Sequence, residues 1–271
     1  MIQDIGAGRF HNEYHDFKPQ AHDTMIGIRE NKILVRIKGG EMFFPEYQET
    51  QEENGIYLFS IDEKRYFYTA HPEEFGEYRY QKISVYREYG PRERSFAAVT
   101  AYHLADWYAK NQFCGRCGAK MLHDHRERMM HCPECHNMVY PRISPAVIVG
   151  VIHGDRILLT KYAGREYTKY SLIAGFTEIG ETLEETVQRE VMEEVGLKVK
   201  NIRYYKNQPW GMSGSLLTGF FADLDGDDTI RLDETELSTA EWFRYDEMPA
   251  KDDGVSLTRE MIRVFTEQRS I

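Results

Sequence analysis

Three glutamates in the second half of the chain are spaced so that a helix would bring their carboxylates together. Glu190, Glu193 and Glu194 stand at positions i, i+3 and i+4, which are neighbours on one helical face. Like charges at this spacing destabilise an exposed helix by a few tenths of a kcal/mol. A divalent cation turns that repulsion into binding, since hard cations prefer carboxylate oxygens. The spacing predicts a metal site, and the alternative is an ordinary acidic surface helix.

The helix that would carry these glutamates has signals at both ends. Thr182 and Glu185 form a capping box, and Gly196 stands where a helix ends in a left-handed residue. Arg189 and Glu181 are placed to brace the helix against the loop before it. Apolar residues recur at every fourth position and predict a buried stripe. They are Leu183, Val187, Val191 and Val195.

All four cysteines of the chain form two Cys-x-x-Cys pairs separated by fourteen residues. They are Cys114, Cys117, Cys132 and Cys135. Two such pairs predict a tetrahedral zinc site, which is structural because four thiolates leave no open position. The alternatives are two disulfides or four free thiols, and the adjacent His131 and His136 are expected to be bystanders. Thiolate ligands indicate a reducing compartment, hence the cytoplasm.

The glutamate helix and its flanks resemble the Nudix box, Gly-x5-Glu-x7-Arg-Glu-U-x-Glu-Glu-x-Gly-U, where U is a bulky aliphatic residue. Every fixed position matches: Gly175, Glu181, Arg189, Glu190, Val191, Glu193, Glu194, Gly196 and Leu197. The resemblance implies an α/β (α+β) fold, with the box in a Nudix α/β/α sandwich. It implies Mg²⁺ or Mn²⁺ held by Glu190 and Glu194, with Glu193 and the backbone carbonyl of Ala174. The implied chemistry is attack of water on a phosphorus of a nucleoside diphosphate derivative.

The chain outside the box is similar to the NADH pyrophosphatase family, in which a β-rich module and a four-cysteine ribbon precede the Nudix domain. Local matches include Tyr140-Pro141, Ala174-Gly175-Phe176 and Asn207-Gln208-Pro209-Trp210. The resemblance implies cleavage of NAD(H) to AMP and nicotinamide mononucleotide by a homodimer. The implied substrate-binding residues are Tyr140, Phe176, Gln208, Pro209, Trp210 and Ser215.

Two further positions refine this resemblance. Glu236 matches the distal acidic position of the family, as a further metal ligand or the catalytic base. The segment Gly211-Met212-Ser213 stands where the family has Pro-Phe-Pro, so a flexible segment replaces a stiff one. This departure favours the alternative substrates ADP-ribose, FAD or a dinucleoside polyphosphate.

The elements around the motifs predict three regions: a β-rich module at 1–94, a connecting helix with the ribbon at 95–140, and the Nudix domain at 141–271. In the first region, hairpins are expected around Glu30-Asn31 and Asp62-Glu63, and a strand at 83–86. Ser95 is expected to cap a helix that runs to Lys110. Gly154-Asp155 predicts a hairpin between strands at 146–152 and 157–160.

Composition limits the partners of this 271-residue chain. Its hydrophobic fraction of 41% supports a packed core, and its net charge of -10 argues against broad attraction to nucleic acid. It has no apolar run of membrane-spanning length and no basic, then apolar, N-terminal segment, so neither a membrane partner nor a secretory signal is expected.

Three further functions compete with hydrolysis of free NAD(H). Removal of an NAD cap from RNA breaks the same bond. A nucleotide sensor without turnover is disfavoured, because the box carboxylates are intact. A nucleic-acid module built on the ribbon alone leaves the box unexplained, and its basic patch is modest. That patch contains Arg116, Lys120, Arg126 and Arg128.

Overall fold

The computed structural model describes residues 1–70, 72–164, 168–249 and 254–267. The chain divides into two compact units. The C-terminal unit consists of Met1, Ile143–Trp210 and Ser215–Ile271. The N-terminal unit consists of Ile2–Arg142 and Gly211–Gly214. The finer division at residue 94 stays a prediction.

The N-terminal unit contains a seven-stranded sheet with the order β1-β5-β6-β2-β3-β4, in which β7 also pairs with β3. Its strands are β1 (Phe10–His11), β2 (Thr24–Arg29), β3 (Lys32–Lys38), β4 (Glu41–Phe43), β5 (Ile56–Ile61), β6 (Lys64–Ala70) and β7 (Arg79–Lys82). Both predicted hairpins are confirmed, since β2 pairs with β3 and β5 with β6 in antiparallel fashion. Glu30 and Asp62 take the positive φ of 53° that these tight turns need.

The predicted strand at 83–86 is wrong, because Ile83–Arg87 is a 3-10 helix. Ile83, Val85 and Tyr86 are all buried there. A strand would send neighbouring side chains to opposite faces, whereas the tight 3-10 turn places i and i+3 on one side.

The N-cap of helix α1 (Arg92–Lys110) is Pro91, four residues before the predicted cap, so the assignment of Ser95 as the cap is wrong. Pro91 holds the extended backbone of the N-cap position. Ser95 lies inside the first turns, where its hydroxyl donates to the carbonyl oxygen of Tyr89 at 3.2 Å. The ribbon follows as a three-stranded sheet with the order β10-β9-β8. Its strands are β8 (Leu122–His123), β9 (Met130–His131) and β10 (Met138–Val139).

The C-terminal unit contains a six-stranded sheet with the order β14-β15-β11-β12-β16, in which β13 also pairs with β11. Its strands are β11 (Ser144–His153), β12 (Arg156–Tyr162), β13 (Ile173–Phe176), β14 (Val199–Trp210), β15 (Ser215–Leu224) and β16 (Leu237–Arg244). The hairpin of β11 and β12 around Gly154-Asp155 is confirmed. Strand β11 runs parallel to β15 and antiparallel to β12 and β13.

Helices α2 (Leu183–Val195) and α3 (Leu257–Glu267) cover the two faces of this sheet. On one face Val187 and Val191 of α2 pack with Val149 of β11. On the other face Met261 of α3 packs with Ile148. Neighbouring β11 residues therefore enter opposite cores, as strand alternation requires. The predicted α/β/α sandwich is confirmed. Among the described residues, no helix is long and apolar enough to span a membrane.

Candidate active site

Helix α2 has the predicted signals at both ends. The hydroxyl of Thr182 accepts from the N–H of Glu185 at 3.2 Å, and the carboxylate of Glu185 accepts from the N–H of Thr182 at 2.7 Å. Gly196 ends the helix in the left-handed region, with φ of 67°. These signals fix the ends of α2. The buried valine stripe faces the apolar core and so turns the opposite face of the helix away from it.

Two of the three box carboxylates are buried. Glu190 and Glu194 are only 9% and 3% exposed, whereas Glu193 is exposed. The carboxyl group of Glu190 lies directly against Gly175 of β13, since a Cβ at that position would lie 1.9 Å from its carboxyl carbon. Gly175 is therefore required by close approach, and the missing side chain leaves the space that the carboxylate occupies.

Arg189 joins the loop before the helix to the helix itself. Its Nε donates to Oε1 of Glu181 at 2.5 Å, and its Nη2 donates to Oε2 of the same carboxylate at 2.9 Å. Its Nη1 donates to Oε1 of Glu190 at 2.8 Å and to Oε2 of Glu193 at 3.0 Å. Its Nη2 also donates to the carbonyl oxygen of Phe176 at 2.9 Å. The predicted brace between Arg189 and Glu181 is confirmed, and it extends to two box carboxylates.

The pKa values of Glu181 and Glu190 shift in opposite directions. Hydrogen bonds from Arg189 and from the N–H of Glu178 lower the pKa of Glu181 to about 2. Burial raises the pKa of Glu190, against the opposing effect of Arg189, and the charges of Glu193 and Glu236 raise it further. The protein therefore neutralises the negative charge of Glu190 only in part, as expected for a carboxylate that binds a cation.

Glu236 lies in the loop that precedes β16 and is exposed. The loop is joined to the end of α2, because the N–H of Asp233 donates to the carbonyl oxygen of Glu194 at 2.9 Å. The N–H of Glu236 donates in turn to the carbonyl oxygen of Asp233 at 3.2 Å. The charge of Glu236 contributes to the raised pKa of Glu190, but among the described residues the box glutamates and Glu236 do not form a close group of potential metal ligands such as the cysteines form. Carboxylate oxygens suit a hard divalent cation, and the contribution of the Ala174 carbonyl stays a prediction.

The four cysteines converge on one point in the ribbon. Their four Sγ atoms lie within 4.8 Å of one another, and all four are free thiols, so the disulfide alternative is wrong. The distances are 3.6 Å between Cys114 and Cys135 and 3.4 Å between Cys117 and Cys132. A tetrahedral zinc with Zn–S bonds of about 2.3 Å needs sulfur separations of about 3.8 Å. The thiols therefore fit zinc.

Backbone groups favour thiolates in this cluster. The N–H of Arg116 donates to Sγ of Cys114 at 3.4 Å and lowers the pKa of that thiol to about 6. The N–H of Cys135 donates to Sγ of Cys132 at 3.5 Å and lowers its pKa. Among the described residues, the close group of potential metal ligands contains the four cysteines and neither His131 nor His136.

Two known domains match the chain in the regions just described. Residues 109–140 match the NADH pyrophosphatase zinc ribbon domain, and residues 142–265 match the NUDIX domain. The chain contains a NUDIX domain. A crystal structure of a NUDIX hydrolase from Nitrosomonas europaea is similar, with a TM-score of 0.51 and 26% identity over 58% of this chain and 92% of that chain.

Curated relatives are similar to more than half of the chain. The protein named NAD-capped RNA hydrolase NudC from Photorhabdus laumondii is 43% identical over 159 residues, which are 59% of this chain and 62% of the relative. A protein of the same name from Klebsiella pneumoniae is 44% identical over 160 residues, again 59% and 62% of the two chains. This chain thus spans about three fifths of the length of the curated relatives it matches.

The aromatic residues predicted to stack on substrate are both exposed. Phe176, at the end of β13 in the NUDIX domain, is 52% exposed, and Arg189 holds its carbonyl oxygen. Tyr140, in the N-terminal unit, is 51% exposed, and its hydroxyl donates to Glu127 at 2.7 Å. Each ring therefore presents surface on which a planar group can stack.

Gln208 has a structural role that the sequence analysis missed. Its side chain is buried, its Nε2 donates to the carbonyl oxygen of Val255 at 2.9 Å, and its Oε1 accepts from the N–H of Leu257 at 2.7 Å. Gln208 thus positions the first turn of α3 in the NUDIX domain. Trp210 pairs across the hairpin with Ser215, which is buried, while Pro209 is exposed.

Gly211, the first residue that departs from the Pro-Phe-Pro pattern, is buried in the N-terminal unit. A Cβ there would lie 2.4 Å from the carbonyl oxygen of Val99 in helix α1. A proline at 211 would therefore require the backbone to move. Close packing accounts for this glycine without appeal to flexibility.

Proposed function

We propose that this chain uses Mg²⁺ or Mn²⁺ to hydrolyse the diphosphate of NAD(H), releasing AMP and nicotinamide mononucleotide. The observation that carries the proposal is the burial of Glu190 and Glu194 on one helix, with Glu190 against Gly175 and held by Arg189. Buried carboxylates are costly unless they are paired or bind a cation. The relatives named NAD-capped RNA hydrolase support NAD as the nucleotide moiety.

The residues proposed to hold the cation are Glu190, Glu193, Glu194, Glu236 and the carbonyl of Ala174. A bound divalent cation supplies neutralisation of the diphosphate and a lowered pKa for a water molecule. Arg189 fixes the orientation of the Glu190 carboxylate from one side, and Gly175 leaves the space that this carboxylate needs.

The exposed carboxylates Glu193 and Glu236 are proposed to accept the proton of the attacking water. The bond that forms joins the water oxygen to phosphorus, and the bond that breaks is the bridging P–O bond of the diphosphate. Two monophosphates form: one gains the water oxygen and the other keeps the bridging oxygen. The proton that the glutamate accepts passes to that bridging oxygen, so atoms and charge balance without a further reactant. Tyr140 and Phe176 are proposed to stack on the planar rings of the substrate.

Removal of an NAD cap from RNA is the second candidate activity. The name of these relatives, NAD-capped RNA hydrolase, supports it, and the bond broken is the same as in free NAD. The net charge of -10 gives little broad attraction for the RNA body, so recognition would rest on local contacts.

A homodimer and a cytoplasmic location complete the proposal. Free thiols positioned for zinc are consistent with a reducing compartment. Size-exclusion chromatography with light scattering tests the dimer, which a mass of one chain would contradict.

The experiment compares initial hydrolysis rates, first with Mg²⁺ and then with Mn²⁺, across a substrate panel. The panel is NADH, NAD⁺, ADP-ribose, FAD, diadenosine polyphosphate and NAD-capped RNA. We expect NAD(H) or NAD-capped RNA to react fastest, with AMP or 5′-phosphorylated RNA as a product. A preference for another compound would support the proposed hydrolysis but would identify a different substrate.

Glu194→Gln is the variant that tests the site, and Glu184→Gln is its matched control. Glu184 is an exposed glutamate on the same helix, at a position that the box pattern leaves variable. Loss of residues that only orient a metal ligand costs about 10–100-fold, so loss of a ligand should cost at least about 100-fold. Equal rates for wild type and Glu194→Gln would refute the proposed active site.

A further inference from the structure

A cavity of about 360 Å³ lies within the N-terminal unit, and neither the NUDIX chemistry nor the zinc ligands explain it. Its walls come from segment 14–18, from segment 54–57 with the end of β6, and from His123 and His125 of the ribbon. The volume falls near the lower end of the range of about 300–1,000 Å³ for small-molecule pockets. It suits one nucleotide better than a dinucleotide.

Aromatic rings dominate one part of the cavity. His15 stacks on Phe17 with ring centroids 4.6 Å apart and planes 18° apart. Phe17 meets Tyr57 edge to face at 5.1 Å. Tyr57 is buried, while Phe17 remains 40% exposed. The cavity thus offers a wall of three aromatic rings, of which His15 and Phe17 remain exposed, and a planar heterocycle can stack against this wall. Arg65 also lies over the Phe17 ring, 5.3 Å from its centroid.

Cationic and imidazole groups also line the cavity. They are Lys18, His15, His123 and His125. Lys18 is exposed and makes no hydrogen bond or ion pair within the described ranges. The lining carboxylate, Asp16, lies 2.8 Å from Nδ1 of His125. A ligand anion would therefore meet a lysine and imidazoles, with the carboxylate already engaged.

The ribbon holds this cavity in shape. The hydroxyl of Tyr14 donates to the carbonyl oxygen of Asp124 at 3.0 Å. Arg128, which lies in the ribbon, donates to Asn12 at 2.9 Å. With the contact between His125 and Asp16, these bonds fasten the segment that forms the mouth of the cavity to the ribbon. The ribbon thereby supports the shape of this cavity as well as its own fold.

We propose that this cavity binds a single nucleotide, with its base against the stacked pair of His15 and Phe17 and its phosphate near Lys18. A nucleotide fits these groups, because its flat base can stack on the rings and its anionic phosphate can pair with the cationic group. An apolar ligand would leave Lys18 and the imidazoles without a purpose. The nucleotide is either free or one residue of a single-stranded RNA.

Calorimetric titration of the full chain with AMP, adenosine and a hexa-adenylate RNA with a 5′-hydroxyl end tests the proposal. No Mg²⁺ or Mn²⁺ is added, and none of these probes contains a diphosphate. Failure of binding here therefore leaves the proposed hydrolysis untouched. Tighter binding of the hexamer than of AMP would identify RNA as the source of the nucleotide, and the reverse order would identify free nucleotide.

Phe17→Ala should weaken binding of the preferred probe by about tenfold or more, because base stacking on an aromatic ring contributes about 1–3 kcal/mol. Phe113→Ala is the matched control, since Phe113 is 65% exposed in the same unit and outside the cavity. Lys18→Ala should weaken AMP more than adenosine. His15→Ala and Lys18→Ala, both at exposed positions, replace Phe17→Ala if that variant unfolds.

Two results would overturn the proposal. One is the absence of saturable binding of every probe to the wild type. The other is equal affinity of the wild type and of folded Phe17→Ala, since NUDIX-site binding alone would behave in this way.

Discussion

The ribbon cysteines and the α2 glutamates both belong to short metal-binding motifs, but the structure organises them differently. The four Sγ atoms converge within 4.8 Å, in a group that contains no competing side chain. The carboxylates instead divide into buried Glu190 and Glu194 and exposed Glu193, with Arg189 bonded to two of the three. Convergence of four thiols suits a permanent ion, whereas an open carboxylate cluster leaves positions for water and phosphate.

The largest effect is expected from removal of a ligand from the four-cysteine site. Cys132→Ser removes a buried ligand, and we expect zinc content to fall from about one per chain to near zero, with loss of the cooperative unfolding of the N-terminal unit. Metal analysis and circular dichroism measure these changes. His136→Asn is the control, because His136 lies outside the cluster and asparagine tolerates its φ of 58°. Zinc loss from His136→Asn as well would show that the ligand set is wrong.

Glu190→Gln, in the carboxylate site, should lower activity without lowering stability. We expect hydrolysis to fall by about 100-fold, since a proposed ligand loses its charge. Burial raises the pKa of Glu190 above the ordinary value of 4.5, so the folded state binds the proton more tightly than the unfolded state. The free energy of unfolding therefore falls as pH rises from 4.5 through the folded pKa, and ionised Glu190 costs stability at neutral pH.

The melting temperature of Glu190→Gln at pH 7 should accordingly equal or exceed that of the wild type, and the difference should shrink as pH falls toward 4.5. Thermal unfolding measured across this range checks the sign. A marked loss of stability at pH 7 would mean that Glu190 supports the fold and is not held ready for a cation.

Gly175→Ala tests the space beside Glu190. The new Cβ would lie 1.9 Å from the carboxyl carbon, so Glu190 must move and we expect at least about a tenfold loss of hydrolysis with unchanged zinc content. Gly115→Ala makes the same change where nothing lies within 4 Å of the added atom, and it should retain activity. Full activity of Gly175→Ala would show that the position of Glu190 against β13 is unimportant.

Thr182→Ala gives the smallest expected effect. Loss of the hydroxyl that accepts from the N–H of Glu185 should lower the free energy of unfolding by about 1 kcal/mol. Chemical denaturation measures this value, and Thr182→Ser, which retains the hydroxyl, should restore most of it. Equal stability of all three proteins would remove the capping box from the explanation of how α2 is fixed.

Local rules predicted much of the fold and both metal motifs. The capping box, the turn at Gly196 and the hairpin at Gly154-Asp155 depend on nearby residues, and all three are present. The predictions at 83–86 and at Ser95 failed because packing and Pro91 overrode short-range pattern. Tertiary context decides such cases.

The long-range contacts of the candidate site could not be predicted from sequence patterns. Gln208 bonds to backbone 47 and 49 residues away, and Gly211 packs on Val99. The aromatic cavity likewise joins segment 14–18 to residues more than a hundred positions later. No local signal marks such pairs, because they are set by how whole elements pack.

The most direct test of the buried-carboxylate site is ³¹P NMR of NADH incubated with the chain and Mg²⁺ in H₂¹⁸O. We expect the diphosphate resonances of NADH to give way to two monophosphate resonances, one of them shifted by ¹⁸O, with Glu184→Gln active and Glu194→Gln inactive. Unchanged diphosphate resonances with zinc-replete wild type, or equal turnover by Glu194→Gln, would contradict the assignment of α2 as the catalytic helix.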